Sequence, residues 1–301
     1  MRDNGFNRRG QSDRGFTLVE LLVVISIIGI LVALITPAIF RAVGRARVAA
    51  QKIEIAAMSQ ALESYRMELG NFPPDLAGSQ PIDIRLIDTH LQTTFRARDK
   101  TQDALVDRGG NPANINPAES LVLWLSGMSP DPRRPLTGAN KSRLFEFDQS
   151  RLIDADNDGF FEYYPQGDKT QTPYLYYAAS SSNPADAYDL TTTFVRLLSE
   201  NGDNGVRGVQ DGFGEVKAVP LPYRQNNADG SKPYLGAGKF QIISAGVDGK
   251  YVEDSYLTYV TAVIANPLAA RAYNENPVAK AERDNLSSFS DEGTFQDAVD
   301  D

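Results

Sequence analysis

Glu20 stands near the head of a long apolar run, Gly15 to Phe40 (GFTLVELLVVISIIGILVALITPAIF), and no further charge occurs before Arg41. A carboxylate at membrane depth costs about 3 kcal/mol on insertion scales, and is kept where it has a partner and a task. A second set of acids is Asp154-Ala-Asp156-Asn-Asp158-Gly159, with Glu162 following. Oxygens at alternate positions around a glycine turn are what a calcium loop needs. The twelfth position is Pro165 where a full EF-hand has glutamate, so Glu162 or Asp168 would have to complete the shell. Crowded carboxylates repel one another without a cation, although an Asp/Gly turn with no metal is the plainer reading. Asn201-Gly-Asp203-Asn204-Gly205 with Asp211 is a further acidic turn of the same kind, which a glycine-rich turn explains as well.

Other reactive groups are few. The chain of 301 residues has no cysteine and one histidine, His90. Disulfides, thiolate chemistry and cysteine-type zinc sites are excluded. His90, between Thr89 and Leu91, has no motif placing it near a nucleophile and reads as structural or surface. Gly236-Ala-Gly238-Lys239 lacks the spacing and the hydroxyl of a phosphate loop. Tyr163, Tyr164, Tyr174, Tyr176 and Tyr177 suit a sugar or peptide surface, or plain strand packing. The sequence carries no enzyme signature. A net charge of -9 argues against nucleic acid as a partner, since phosphate binding needs a basic face.

The elements that position these groups begin with one long helix. The uncharged run from Leu21 to Phe40 has the length of a membrane span, about 30 Å. Arg2, Arg8, Arg9 and Arg14 outnumber Asp3 and Asp13 ahead of it, which predicts a cytoplasmic N-terminus. The run is longer than a secretory h-region and no small-x-small site directly follows it. Beyond Pro37 an apolar stripe continues at Val48, Ile55, Met58, Leu62, Tyr65 and Leu69, and Gly70-Asn71 before Pro73-Pro74 stops it. A continuous helix from Phe16 to Leu69 would be about 80 Å long. Thr17 and Ser26 read as ordinary tolerated helix residues. Residues 75 to 116 show little periodicity. A short helix is expected over Ser120 to Gly127, capped by Asn116, with Pro117 and Glu119 at its start. Arg143 to Phe147, Tyr174 to Ala179, Phe240 to Ala245 and Tyr256 to Ile264 are predicted strands. The expected class is α+β: a long helix, part membrane and part amphipathic, packed on a small antiparallel sheet with large loops.

Arg14-Gly15-Phe16-Thr17-Leu18-Val19-Glu20-Leu21 resembles the processing motif of type IV pilins and type II secretion pseudopilins. The resemblance implies cleavage by prepilin peptidase between Gly15 and Phe16, with Phe16 then N-methylated. Glu20 falls fifth in the mature chain, where that family places its acid, and Gly29 and Pro37 match its helix-loosening positions. The segment Ala61 to Pro74 is similar to the helix end of the major, G-type, pseudopilin. Ser244-Ala-Gly246-Val-Asp248-Gly249 with Glu253 and Asp254 resembles that group's C-terminal loop, which binds calcium there. Asp248 and Asp254 are the ligands so implied. The chain departs from the group in size, with the extra length between residues 75 and 240.

The resemblance implies a leader over 1–15, a transmembrane and filament-core helix over 16–37 and its amphipathic half over 38–70. A globular periplasmic domain over 71–265 and a polar acidic tail over 266–301 follow. It implies a single-pass inner-membrane subunit, extracted into a filament of itself and other pseudopilins by an inner-membrane assembly platform. Each Glu20, buried among apolar helices, would be neutralised by the Phe16 amine of a neighbour only after assembly. Membrane lipid is the partner before assembly and calcium the implied, structural, cofactor. A type IV pilus subunit and a membrane-anchored binding protein with sugar-facing tyrosines remain the alternatives.

Overall fold

The computed structural model describes residues 16–76, 84–92, 94–113, 115–166, 172–179, 208–210, 216–218, 238–246 and 286–287. Helix α1 runs Leu18–Leu69, 52 residues, and is shared between two compact units, Met1–Ala46 and Arg47–Asp301.

In the first unit the described chain is essentially α1. Its large apolar side chains from Phe16 to Val43 are exposed. Among the described residues it is the one helix long and apolar enough to cross a membrane, and none of its most apolar window is buried. The chain stays helical through Gly29 and Pro37. Ser26 Oγ donates to Leu22 O at 2.8 Å and Thr36 Oγ1 to Val32 O at 2.6 Å. These bonds hide hydroxyls that would otherwise be unsatisfied in an apolar medium.

The second unit is built on the amphipathic part of α1. Ile55, Met58, Leu62, Tyr65 and Leu69 are buried and Val48 partly so, which is the stripe that the 3–4 spacing predicts. Each such side chain contributes roughly 1.5–3 kcal/mol on burial. Gly70, at φ +89, ends the helix with its N–H donating to Arg66 O at 2.8 Å, a left-handed cap that glycine adopts without strain.

Two clusters of core side chains lie along this stripe. One joins Ile55, Met58 and Leu62 to Leu121 and Leu125 of α3 (Pro117–Leu125), and to Phe147, Tyr163, Tyr174, Tyr176 and Ile242. The other joins Tyr65 and Leu69 to Ile87 and Leu91 of α2 (Ile84–Leu91), and to Ile115, Trp124 and Leu136. Helix α2 falls where the sequence showed little periodicity. Its eight residues place Ile84, Ile87 and Leu91 at helical spacing and bury Ile87 and Leu91, one turn apart, so tertiary packing stabilises a helix too short to stand alone.

The sheets are small and antiparallel. β1 (Leu152–Ile153) pairs with β2 (Glu162–Tyr163), Leu152 opposite Tyr163. β3 (Leu175–Ala178) pairs with β6 (Phe240–Ser244), which also pairs with β7 (Leu286–Ser287). β4 (Gly208–Gln210) and β5 (Val216–Ala218) form a separate pair. The architecture is the expected α+β one, a long N-terminal helix with small antiparallel sheets, consistent with a pilin-like fold.

Two expectations are corrected. Arg143 to Phe147 is not a strand: the N–H groups of Leu144 and Phe145 both donate to Leu125 O, satisfying a carbonyl that the end of α3 leaves open. Helix α3 starts at Pro117 rather than Ser120, because Asn116 caps it and proline suits its first position. Tyr163, Tyr164, Tyr174, Tyr176 and Tyr177 are all within 2% of full burial, which favours the preferred packing reading over the sugar surface. Tyr256 to Ile264 lies outside the described residues.

Candidate functional site

Two groups of acids carry the candidate chemistry, one in each unit. The first is at the start of α1. Thr17 is the residue before the helix and Glu20 its third position. Glu20 Oε2 accepts from Thr17 N at 2.9 Å and from Thr17 Oγ1 at 2.7 Å, while Glu20 N donates to Thr17 Oγ1 at 3.2 Å. This is a reciprocal capping box, which satisfies N–H groups that a helix start leaves open. Thr17 is therefore the orienting partner of Glu20, a role that the Thr-x-x-Glu spacing itself signals and that the reading of Thr17 as a tolerated residue overlooked. Glu20 Oε1 accepts no hydrogen bond among the described residues, and the residue is exposed. Phe16, next to it, is 72% exposed. Gly15 lies outside the described residues.

The second group surrounds the loop between β1 and β2. Asp154, Asp156 and Asp158 come from the loop, which turns through Asn157 (φ +63) and Gly159 (φ +106). Asp154 Oδ2 accepts from Arg108 Nη2 at 2.5 Å and from Gly159 N at 3.1 Å. The first turn of α3 supplies Glu119, which the sequence had offered only as a helix-start acid. Asn116 Oδ1 accepts from Ala118 N and Glu119 N, and Glu119 Oε2 accepts from Asn116 N at 2.7 Å. The other oxygen of Glu119 makes no hydrogen bond. Carboxylate oxygens of Glu119, Asp156 and Asp158 all lie within 4.8 Å of one another.

Glu162 takes a different place from the one its spacing suggested. Its Oε1 accepts from Asn116 Nδ2 at 3.0 Å and its Oε2 from the Tyr164 hydroxyl at 2.9 Å, so it braces the cap residue of α3. Burial pushes its carboxyl up to about 8. Burial, and then the charges of Glu162 and Asp158, hold the Glu119 carboxyl well above the usual range. Burial and the charges of Asp156 and Asp154 raise Asp158 to about 6. An acidic cluster this poorly solvated resists full ionisation without a cation.

Of the C-terminal acidic loop, the structure describes the first part. Ser244 Oγ donates to Gln51 Oε1 at 3.1 Å, and Gln51 Nε2 donates to Gly246 O at 3.3 Å, which fastens the loop's entry to α1. Asp248, Glu253 and Asp254 lie outside the described residues, as do Asp168, Asp203 and Asp211. His90 is sandwiched rather than reactive. It stacks on Tyr65 at 5.7 Å, meets Trp124 edge-on at 5.5 Å and shares a 2.8 Å hydrogen bond with the Tyr65 hydroxyl.

Residues 10–36 match the family model described as the prokaryotic N-terminal methylation motif. The type II secretion system core protein G of Pseudomonas aeruginosa is 37% identical over 75 residues, 25% of this chain and 51% of that protein. That of Klebsiella michiganensis is 37% identical over 76 residues, 25% of this chain and 52% of its own length. That of Pectobacterium carotovorum subsp. carotovorum is 31% identical over 134 residues, 42% of this chain and 83% of its own. The chain thus spans about half the length of the first two relatives. No solved structure matches it.

Proposed function

Because the chain belongs to the type II secretion core protein G family, the major pseudopilins, we propose that it is a structural subunit of a secretion pseudopilus. On this reading the protein is held in the inner membrane by the apolar start of α1, with its larger unit in the periplasm. Prepilin peptidase cuts between Gly15 and Phe16 and methylates the new Phe16 amine. The inner-membrane assembly platform then extracts the subunit into a short filament of this protein and other pseudopilins, whose growth pushes exported proteins outward. It performs no catalytic step of its own.

The observation that carries the proposal is the methylation motif at residues 10–36, laid over an apolar helix whose one early charge is Glu20. The exposed apolar side chains from Phe16 to Val43 need either lipid or like helices around them. In a filament a neighbour's Phe16 amine would meet Oε1 of Glu20, so that the charge is neutralised only when subunits stand in register. The capping box supports this, since it fixes the carboxylate beside the helix axis before any neighbour arrives.

A type IV pilus subunit would use the same helix, and deletion separates the two. A strain lacking the protein should keep exported proteins inside the cell and lose no surface pili. Loss of surface pili with secretion intact would move the protein to the pilus branch.

A further inference from the structure

The geometry points to a calcium-type divalent cation site formed by the β1–β2 loop together with the first turn of α3, with Glu119, Asp156 and Asp158 as its oxygen donors. It stands apart from the secretion reading and from the C-terminal acidic loop. Acidic clusters are common on surfaces, and the loop alone would carry nothing. The added observation is a set of buried oxygens with no partner. Glu119 is 1% exposed, its Oε1 makes no hydrogen bond, and its carboxylate has an oxygen within 4.8 Å of oxygens of Asp156 and Asp158. Asp154 Oδ1 and Asp158 Oδ2 are buried and unpartnered as well. Buried polar atoms in native proteins are nearly always satisfied, and these three are all acceptors from carboxylates. A shared hydrogen-bond donor could serve one of them, and a cation between Glu119, Asp156 and Asp158 serves the two of that group, Glu119 and Asp158, at once.

Size and chemistry select the ion class. Two oxygens that each bind calcium at about 2.4 Å can stand no more than about 4.8 Å apart. The oxygens of Glu119, Asp156 and Asp158 meet that limit mutually. No nitrogen or sulfur ligand takes part, which disfavours zinc. The sharp turn through Asn157 and Gly159 brings alternate residues of the loop inward. Asp156 is exposed and gives the ion a way in from solvent. Arg108, on Asp154 Oδ2, offsets the charge of that neighbouring acid, and among the described residues no salt bridge reaches Glu119, Asp156 or Asp158. The bound ion would lock the hairpin loop to α3, and through Leu121 and Leu125 to the α1 core.

The test uses the full-length protein in detergent, stripped with chelator and titrated with calcium chloride alone. Heat of binding gives stoichiometry, and Trp124 emission, from a tryptophan in α3 itself, reports the melt. Extracellular calcium modules have dissociation constants of roughly 10⁻⁴–10⁻³ M, so calcium is carried to about 5 mM. The expected result is a rise in melting midpoint with calcium for the wild type and for Asp248→Asn. Asp156→Asn and Glu119→Gln should each weaken that response at least tenfold. Asp156 is exposed, so its variant should fold, and removing a buried charge with Glu119→Gln should leave the metal-free melt cooperative. If both variants keep the wild-type calcium response, or if the wild type binds none at about 5 mM, the site does not exist. If Asp248→Asn alone abolishes the response, the ion belongs to the C-terminal loop and the assignment is overturned.

Discussion

Replacing Glu54 should cost the second unit more than any other single polar change on α1. Glu54 sits on the apolar side of the helix and is 20% exposed. Its Oε2 accepts from Arg151 Nη1 at 3.0 Å and from the Tyr174 hydroxyl at 2.7 Å, and its Oε1 from the Tyr163 hydroxyl at 3.1 Å. Arg151 Nη2 donates to Oε1 too, and the guanidinium lies 4.4 Å over the Tyr163 ring. One carboxylate thus joins α1 to the 3-10 turn at Gln149–Arg151, to β2 and to the approach to β3. Alanine leaves Arg151, 16% exposed, without its main counter-charge and removes the acceptor that the Tyr163 and Tyr174 hydroxyls share. Breaking a fully buried pair costs about 3–5 kcal/mol, and the partial exposure here places the loss near the low end, about 3. For a unit of this size each kcal/mol moves the midpoint by about 2–4 °C, so Glu54→Ala should melt about 6–12 °C lower. Glu54→Gln keeps an acceptor for the tyrosines and should lose roughly half as much. The assay is thermal unfolding of the detergent-solubilised protein followed by the single tryptophan, Trp124. A Glu54→Ala midpoint within about 2 °C of wild type would refute the claim that this node fastens the helix to the sheets.

Further expectations follow from single contacts. Gly127 has φ +81, and a Cβ there would lie 1.7 Å from Ser142 O, so Gly127→Ala should lose about 3 kcal/mol or more and lower the Trp124 melt accordingly. Burial holds His90 at about 4, below its ordinary 6.5, so the folded state keeps it neutral. Its contribution is complete above pH 6.5, declines as pH falls toward 4 and reaches roughly 3 kcal/mol of loss there. Because acids in the same unit titrate over that window, the readout is the difference between wild type and His90→Gln. Parallel pH–stability curves for the two would contradict it. Glu20→Val should leave membrane insertion and processing intact while filament yield falls at least tenfold, measured by cross-linking of subunits in sheared membrane fractions.

What could be read in advance was local. The α1 stripe, the Gly70 stop and the Asn116 cap are patterns within a few residues of one another, where periodicity and capping chemistry act directly. Helix α2 was missed although Ile84, Ile87 and Leu91 stand at helical spacing, because its two turns are short for a periodic pattern and lie in a turn-rich stretch. Arg143 to Phe147 looked like a strand from its alternating phenylalanines, yet its N–H groups are taken by the end of α3. The acid cluster was half visible. Alternating aspartates flagged the loop, but Glu119 joins it only because α3 and the β1–β2 hairpin fold together, and no spacing in the chain announces that. Glu162, at a ligand-like spacing, is claimed instead by Asn116 and Tyr164.

The central claim concerns how the chain begins after maturation. The most direct test is intact mass with N-terminal sequencing of the protein purified from membranes of cells with a working prepilin peptidase. The account predicts a chain that starts at N-methylated Phe16. A chain that retains Met1 to Gly15 in those cells would contradict it.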